Sequence, residues 1–212
     1  MGHNSYEAKG AEVSLRYALL ALLTAQPMTG YDLARAFHSS VGHVWHAPDS
    51  QIYPELRRMQ SDGLLRGELV KWGQRGVKTE YSITDDGRAA LRDWMSEPIT
   101  YTPERDPAHL RAAYLEWTDP PAARAQLKRH AAHYGELRDQ RQGQLESIRD
   151  RSHPIVAKRL RDAPASEWRR ITAFKEFTYE GLVSQAEREI EWAERGLRMV
   201  DELSMRDPNH WD

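Results

Sequence analysis

Apolar positions along this chain change their period several times, and each change marks an element. Over residues 14–26 the leucines Leu15, Leu19 and Leu22, widened by Leu20 and Leu23, lie on one side of a helix. Ser14 stands where a cap belongs, and Pro27 ends the run. Thr29 opens a second helix, with Asp32 three residues on as an acidic capping box and Leu33, Ala34 and Phe37 facing inward. A third helix is predicted in SQIYPELRRMQSDG, where Ile52, Leu56 and Met59 follow the i, i+4, i+7 spacing. Its cap is expected at Ser50 or Gln51, Pro54 in or next to the first turn, and Gly63 as the terminating residue. The period then shortens to two. LRGELV and KTEYSI alternate, with Leu65, Leu69, Thr79, Tyr81 and Ile83 predicted inward and KWGQRGV as the loop of a hairpin. Thr84 caps a fourth helix whose apolar side is Leu91, Trp94 and Met95, stopped by Pro98.

Beyond Pro107 only helical periodicity remains. EPITYTPERDP, with three prolines, reads as a boundary, giving domains at 1–99 and 100–212. A short helix carries Leu110, Tyr114 and Trp117, and a long one starts at Pro120. The stretch 152–165 reads as a connector because of Pro154 and Pro164. The last helix spans about 167–205, with a stripe through Trp168, Ile171, Phe174, Thr178, Leu182, Ala186, Ile190, Ala193, Leu197, Val200 and Leu203. Two such helices bury little alone, so a second chain is the expected partner. The fold class is therefore mostly α with a small β-hairpin wing: a winged helix-turn-helix domain plus a C-terminal antiparallel helical dimerisation domain.

Charge sharpens this. The chain carries a net −2, yet residues 57–78 hold six basic side chains against Asp62 and Glu68, a local +4. Nucleic-acid affinity must therefore come from this patch. The outward face of the third helix offers Ser50, Gln51, Tyr53 and Arg57, and the hairpin offers Lys71, Arg75 and Lys78 to phosphates. Thr29 and Tyr31 are expected to add contacts to the DNA backbone. A winged module that binds protein partners without touching DNA is the alternative. The absence of cysteine excludes disulfides and thiolate chemistry, and no apolar run is long enough to span a membrane, so a cytoplasmic protein is expected. No phosphate loop, G-x-S-x-G or H-E-x-x-H motif occurs, and no enzyme activity, cofactor or metal is implied.

SLRYALLALLTAQPMTGYDLARAF, SQIYPELRRMQSDGLL and KTEYSITDDGRAAL together resemble a PadR-type transcriptional regulator. The long helical C-terminus is similar to the longer subfamily, whose C-terminal helices form the dimer. The resemblance implies a homodimeric repressor that binds double-stranded operator DNA and is released by a small aromatic or planar effector. The rings Trp94, Tyr114, Trp117, Trp168 and Phe174 fall around the boundary between the two halves and are the expected effector-binding set.

Overall fold

A computed structural model describes residues 15–44, 47–73, 76–101 and 105–206. The chain is mostly helical with one small antiparallel sheet, as the periodicity predicts. In order it forms α1 (15–23), β1 (Met28–Thr29), α2 (Gly30–Ser39), a 3₁₀ turn (Val41–His43), α3 (Asp49–Ser61), β2 (Leu65–Trp72), β3 (Gly76–Ile83) and α4 (Asp85–Ser96). These are followed by α5 (Pro107–Ala112), a 3₁₀ turn (Leu115–Trp117), α6 (Pro120–Arg149), α7 (Pro154–Asp162) and α8 (Ala165–Arg206). Two compact units result: Met1–Ile99 with Pro154–Ser166, and Thr100–His153 with Glu167–Asp212. Among the described residues no helix is long and apolar enough to cross a membrane.

The first unit closes around Leu19, Leu20, Leu23, Leu33, Phe37, Ile52, Leu56 and Met59, all but fully buried, with Leu65 and Tyr81 from the sheet. The sheet order is β1-β3-β2, with Met28 paired to Tyr81 and Leu65 to Ile83. The two-residue strand β1 escapes the sequence reading because it is too short to show alternation. Thr29 caps α2 as expected: its hydroxyl accepts the Asp32 N–H at 3.2 Å and donates to the Asp32 carboxylate at 2.7 Å. Ser14, the expected cap of α1, lies outside the described residues.

The start of α3 differs from expectation. It begins at Asp49 after Pro48, and no side chain caps it. The Pro48 carbonyl instead takes the Gln51 and Ile52 N–H groups at 2.9 and 3.3 Å, while the proline ring fixes the entry angle. Pro54 is then the sixth helical residue, so the Ser50 carbonyl has no i+4 donor. The end of α3 is a Schellman turn: Gly63, at φ 76°, donates to Gln60 and Leu64 donates to Met59. Thr84 ties the next corner. Its hydroxyl accepts the Gly87 N–H at 3.0 Å and lies 2.7 and 2.9 Å from the Gly63 and Leu64 carbonyls. A Cβ at residue 87 would lie 2.3 Å from the Leu64 carbonyl oxygen, so only glycine fits there.

Two apolar expectations and the expected loop length fail in this unit. Leu69 is 79% exposed and Met95 is also exposed, and the strands run on to Trp72 and from Gly76, so the hairpin loop is shorter than predicted. The hairpin projects past the helices that would cover it, and alternation alone cannot show where the core ends. Residues 154–162, read as a connector, are helical, with Pro154 at the first helical position where its missing N–H costs nothing. Ile155 packs on the first unit's core.

In the second unit α6 and α8 run antiparallel. Arg124 meets Asp201 at 2.6 Å, His130 meets Glu189 at 3.0 Å, and Arg149 meets Glu180 at 2.7 Å. The buried positions of α8 are Thr172, Tyr179, Val183, Ala186, Ala193 and Val200. The repeat is thus seven residues, 172–179–186–193–200, as in a coiled-coil seam. The predicted stripe agrees from Ala186 to Val200, but its last member Leu203 is exposed, and it is out of phase before Ala186, where Phe174 and Thr178 turn outward. The short helix likewise ends at Ala112, so Leu115 is buried while Leu110, Tyr114 and Trp117 are exposed.

Candidate nucleic-acid interface and ligand cavities

The outward side of α3 is set by what anchors its inward side. Besides its apolar stripe, α3 buries Glu55, whose carboxylate takes Arg16 of α1 at 2.6 Å and Arg58 at 3.2 Å. Arg16 also reaches Asp62 at 2.9 Å. Burial alone would lower the Arg16 pKa, but the hydrogen bonds and charges of Glu55 and Asp62 outweigh it and raise the value. This clamp fixes the rotation of α3 about its axis and leaves Ser50, Gln51, Tyr53 and Arg57 facing out. Asp49 is held to His38 of α2 at 2.7 Å.

Tyr53 lies across the start of α2. A Cβ on residue 30 would sit 3.1 Å from its ring, so Gly30 makes room for it. Partial burial raises the Tyr53 hydroxyl pKa, with smaller contributions from Asp49 and Tyr31, so it stays a neutral donor. Tyr31 is exposed beside it. Thr29 is only 5% exposed and its hydroxyl is engaged in the cap, so it holds Tyr31 in place from within.

The structure sorts the six basic residues of the predicted patch. Arg58 pairs with Glu55 and Arg66 with Glu68 at 3.0 Å. Lys78 lies over the Trp72 ring, 3.3 Å from its centroid, and 5.0 Å from that of Tyr31. Arg57 and Lys71 are exposed with no carboxylate in ion-pair distance among the described residues, and Arg75 lies outside those residues. Sequence reasoning missed Trp72, read only as part of a loop, and Arg35, one turn after Tyr31 and also exposed.

The five expected effector rings have different surroundings. Trp94 belongs to the first unit and stacks on Tyr17 at 4.7 Å. In the second unit, Tyr114 and Trp117 line a cavity of about 260 Å³ with Leu110, Arg111 and Gln126. Trp168 lies under the Arg151 guanidinium at 5.0 Å, and Phe174 is exposed. A larger cavity of about 400 Å³ adjoins the first, sharing Arg111, Leu115 and Gln126. Its wall includes Trp192, whose ring lies 4.1 Å from that of His109 and 5.0 Å from that of His130. Both imidazoles address Glu189, His130 at 3.0 Å and His109 at 3.9 Å. The i, i+3 pair His130 and His133 hints at this wall, but nothing near it in sequence points to Trp192. Among the described residues no group of three or more His, Asp or Glu side chains is placed to hold a metal ion.

Residues 19–93 match the transcriptional regulator PadR-like family, and residues 104–201 match the virulence activator alpha C-terminal family. The negative transcriptional regulator PadR of Bacillus subtilis is 31% identical over 147 residues, 66% of this chain and 78% of that protein. The crystal structure of Bacillus subtilis PadR in complex with operator DNA superposes with a TM-score of 0.70 at 24% identity, over 88% of this chain and 97% of that one. Its complex with p-coumaric acid gives 0.66 at the same identity, over 88% and 95%.

Proposed function

The chain belongs to the transcriptional regulator PadR-like family, and on that premise we propose that it is a homodimeric repressor released from its operator by a small planar aromatic effector. The observation that carries the DNA-binding part is Arg57, exposed and without a carboxylate partner among the described residues, on the outward face of α3 beside Ser50, Gln51 and Tyr53. Ser50, Gln51, Tyr53 and Arg57 meet base edges and nearby phosphates in the major groove. Lys71 and Lys78, with Arg75, meet phosphates from the hairpin. Tyr31, seated by the Thr29 cap, adds a phosphate contact. Lys78 keeps its ammonium on the Trp72 face, which restricts a flexible side chain before DNA arrives. Two α3 helices of a dimer read half-sites about 10 bp, or a multiple of that, apart. On the effector side, the solved relative in complex with p-coumaric acid and the rings Tyr114 and Trp117 around a cavity support a planar ligand.

Fluorescence anisotropy with fragments from upstream of the chain's own gene, at two salt concentrations, tests the DNA part. Arg57→Ala is expected to cost about 1–3 kcal/mol and to relax preference at one base pair. Lys71→Ala should weaken every sequence alike and lower the salt slope by about one. Binding that does not respond to salt, or no binding to any fragment, overturns the reading.

A further inference from the structure

We infer that Trp72 is a positioning residue for DNA binding: with Tyr31 it holds the Lys78 ammonium ready for one backbone phosphate, while Lys71 reaches its phosphate unassisted. This rests on the DNA-binding part of the function proposed above and gives the hairpin's two lysines unequal roles.

The strand register separates the two lysines. In the β2–β3 pairing Val70 stands opposite Lys78 and Trp72 opposite Gly76, so Trp72 and Lys78 share one face of the hairpin. Lys71, paired with Val77, lies on the other face with Leu69. Thr29 of β1 is paired with Glu80, so the chain running on into α2 brings Tyr31 alongside Lys78. Three elements thus meet at one ammonium. The Trp72 ring approaches it from β2 at 3.3 Å and the Tyr31 ring from α2 at 5.0 Å, while β3 supplies Lys78 itself. Lys78 is half-buried there, whereas Lys71 is exposed and has no ring in cation–π distance among the described residues.

The acids on the Lys78 face are Glu68, which Arg66 engages at 3.0 Å, and Glu80. Neither is in ion-pair distance of Lys78, so the rings alone orient its charge. A ring occupies one side of an ammonium and leaves the N–H groups of the other side for a phosphate. Its attraction is weaker than that of an ionised oxygen partner, so the rings hold Lys78 without competing with DNA. Both rings are about half exposed, which keeps the ammonium within reach of a strand. A lysine already held in place has less rotamer freedom to lose on binding than one that swings free.

The test measures anisotropy over a salt series with two probes, a fragment from upstream of the chain's own gene and a duplex of unrelated sequence. Trp72→Leu should weaken both by about threefold to tenfold, the scale of ordering one long side chain. The salt slope should stay unchanged, because Lys78 still reaches its phosphate. Trp72→Phe should restore most of the loss. Lys78→Gln should lower the slope by about one. In that background Trp72→Leu should cost less than about twofold more, whereas in a Lys71→Gln background its full effect should remain. Three results overturn the assignment: Trp72→Leu that binds like wild type, a loss undiminished in the Lys78→Gln background, or a loss that Trp72→Phe does not rescue. Wild-type binding that ignores salt overturns the DNA reading and this assignment with it. Salt-dependent wild-type binding with an indifferent Trp72→Leu overturns the assignment alone.

Discussion

The two units bury apolar surface in different ways. In the winged unit, large side chains converge from three helices and a sheet, and Leu19, Leu20, Phe37, Ile52, Leu56 and Met59 are inaccessible to solvent. In the helical unit, two long helices meet along a seam whose fully buried α8 positions are the small Ala186 and Ala193 and the β-branched Val200. Four bulky residues of α8, Phe174, Phe177, Leu203 and Met205, point outward, while Tyr179 lies in the seam. A core closed on all sides stabilises itself, whereas a two-helix seam with large apolar groups on its outer side leaves much of its driving force unspent. The proposed DNA-reading surface is therefore built on the self-sufficient unit, and the proposed assembly falls to the incomplete one.

The sharpest way to break that contrast is to empty the winged core. Phe37→Ala should cost about 3–5 kcal/mol, most of the stability of a small domain. Urea denaturation followed by circular dichroism measures this, and a loss below about 1 kcal/mol would mean that the core is less closed than its burial indicates.

The outer face of α8 gives the next largest effect. Phe174→Glu with Phe177→Glu places two charges where a second chain would pack. If these rings anchor the dimer, association should weaken by about 2 kcal/mol or more per ring, and light scattering should report monomers. Operator affinity should fall with it, because one winged unit contacts few phosphates. A variant that remains dimeric would assign assembly to another surface.

The same contrast explains what was legible in the sequence. In the winged unit the signals are local: the Thr29 and Thr84 caps, the Schellman glycine at Gly63 and the apolar stripe of α3 each act within a few residues. The exposed face of α3 follows from that stripe, so Ser50, Gln51, Tyr53 and Arg57 were readable as outward-facing. Glu55 was not. Its burial depends on Arg16, 39 positions away, and only the fold brings them together. Leu69 misleads for the opposite reason, since strand alternation continues after the core has ended. In α8 the mixed three- and four-residue steps allow more than one phase. The bulky Phe174 attracts the stripe, while the seam is laid through Thr172 and Tyr179. The cavity around Trp192 unites residues from three helices and was beyond any local pattern.

The smallest effect tests the seam from within. Tyr179 is 7% exposed, and burial pushes its hydroxyl up to about 12 from its ordinary 10.0, against a smaller lowering by the Arg141 guanidinium. Arg141 itself donates to the Leu182 carbonyl at 2.8 Å, so it is held close to α8. The folded chain thus keeps a proton that the unfolded chain gives up near pH 10. The sign follows: between 10 and about 12 the native state binds more protons, so stability falls as pH rises. The contribution is complete below pH 10 and is lost as pH passes through the folded value. Tyr179→Phe should remove this component, so its urea midpoint should decline less than that of wild type on going from below pH 10 to above it. Tyrosinate absorbance recorded in parallel should show one late-ionising group missing from the variant. If both proteins lose the same stability over that interval, Tyr179 is not what alkali attacks, and the seam is no more vulnerable there than the winged core.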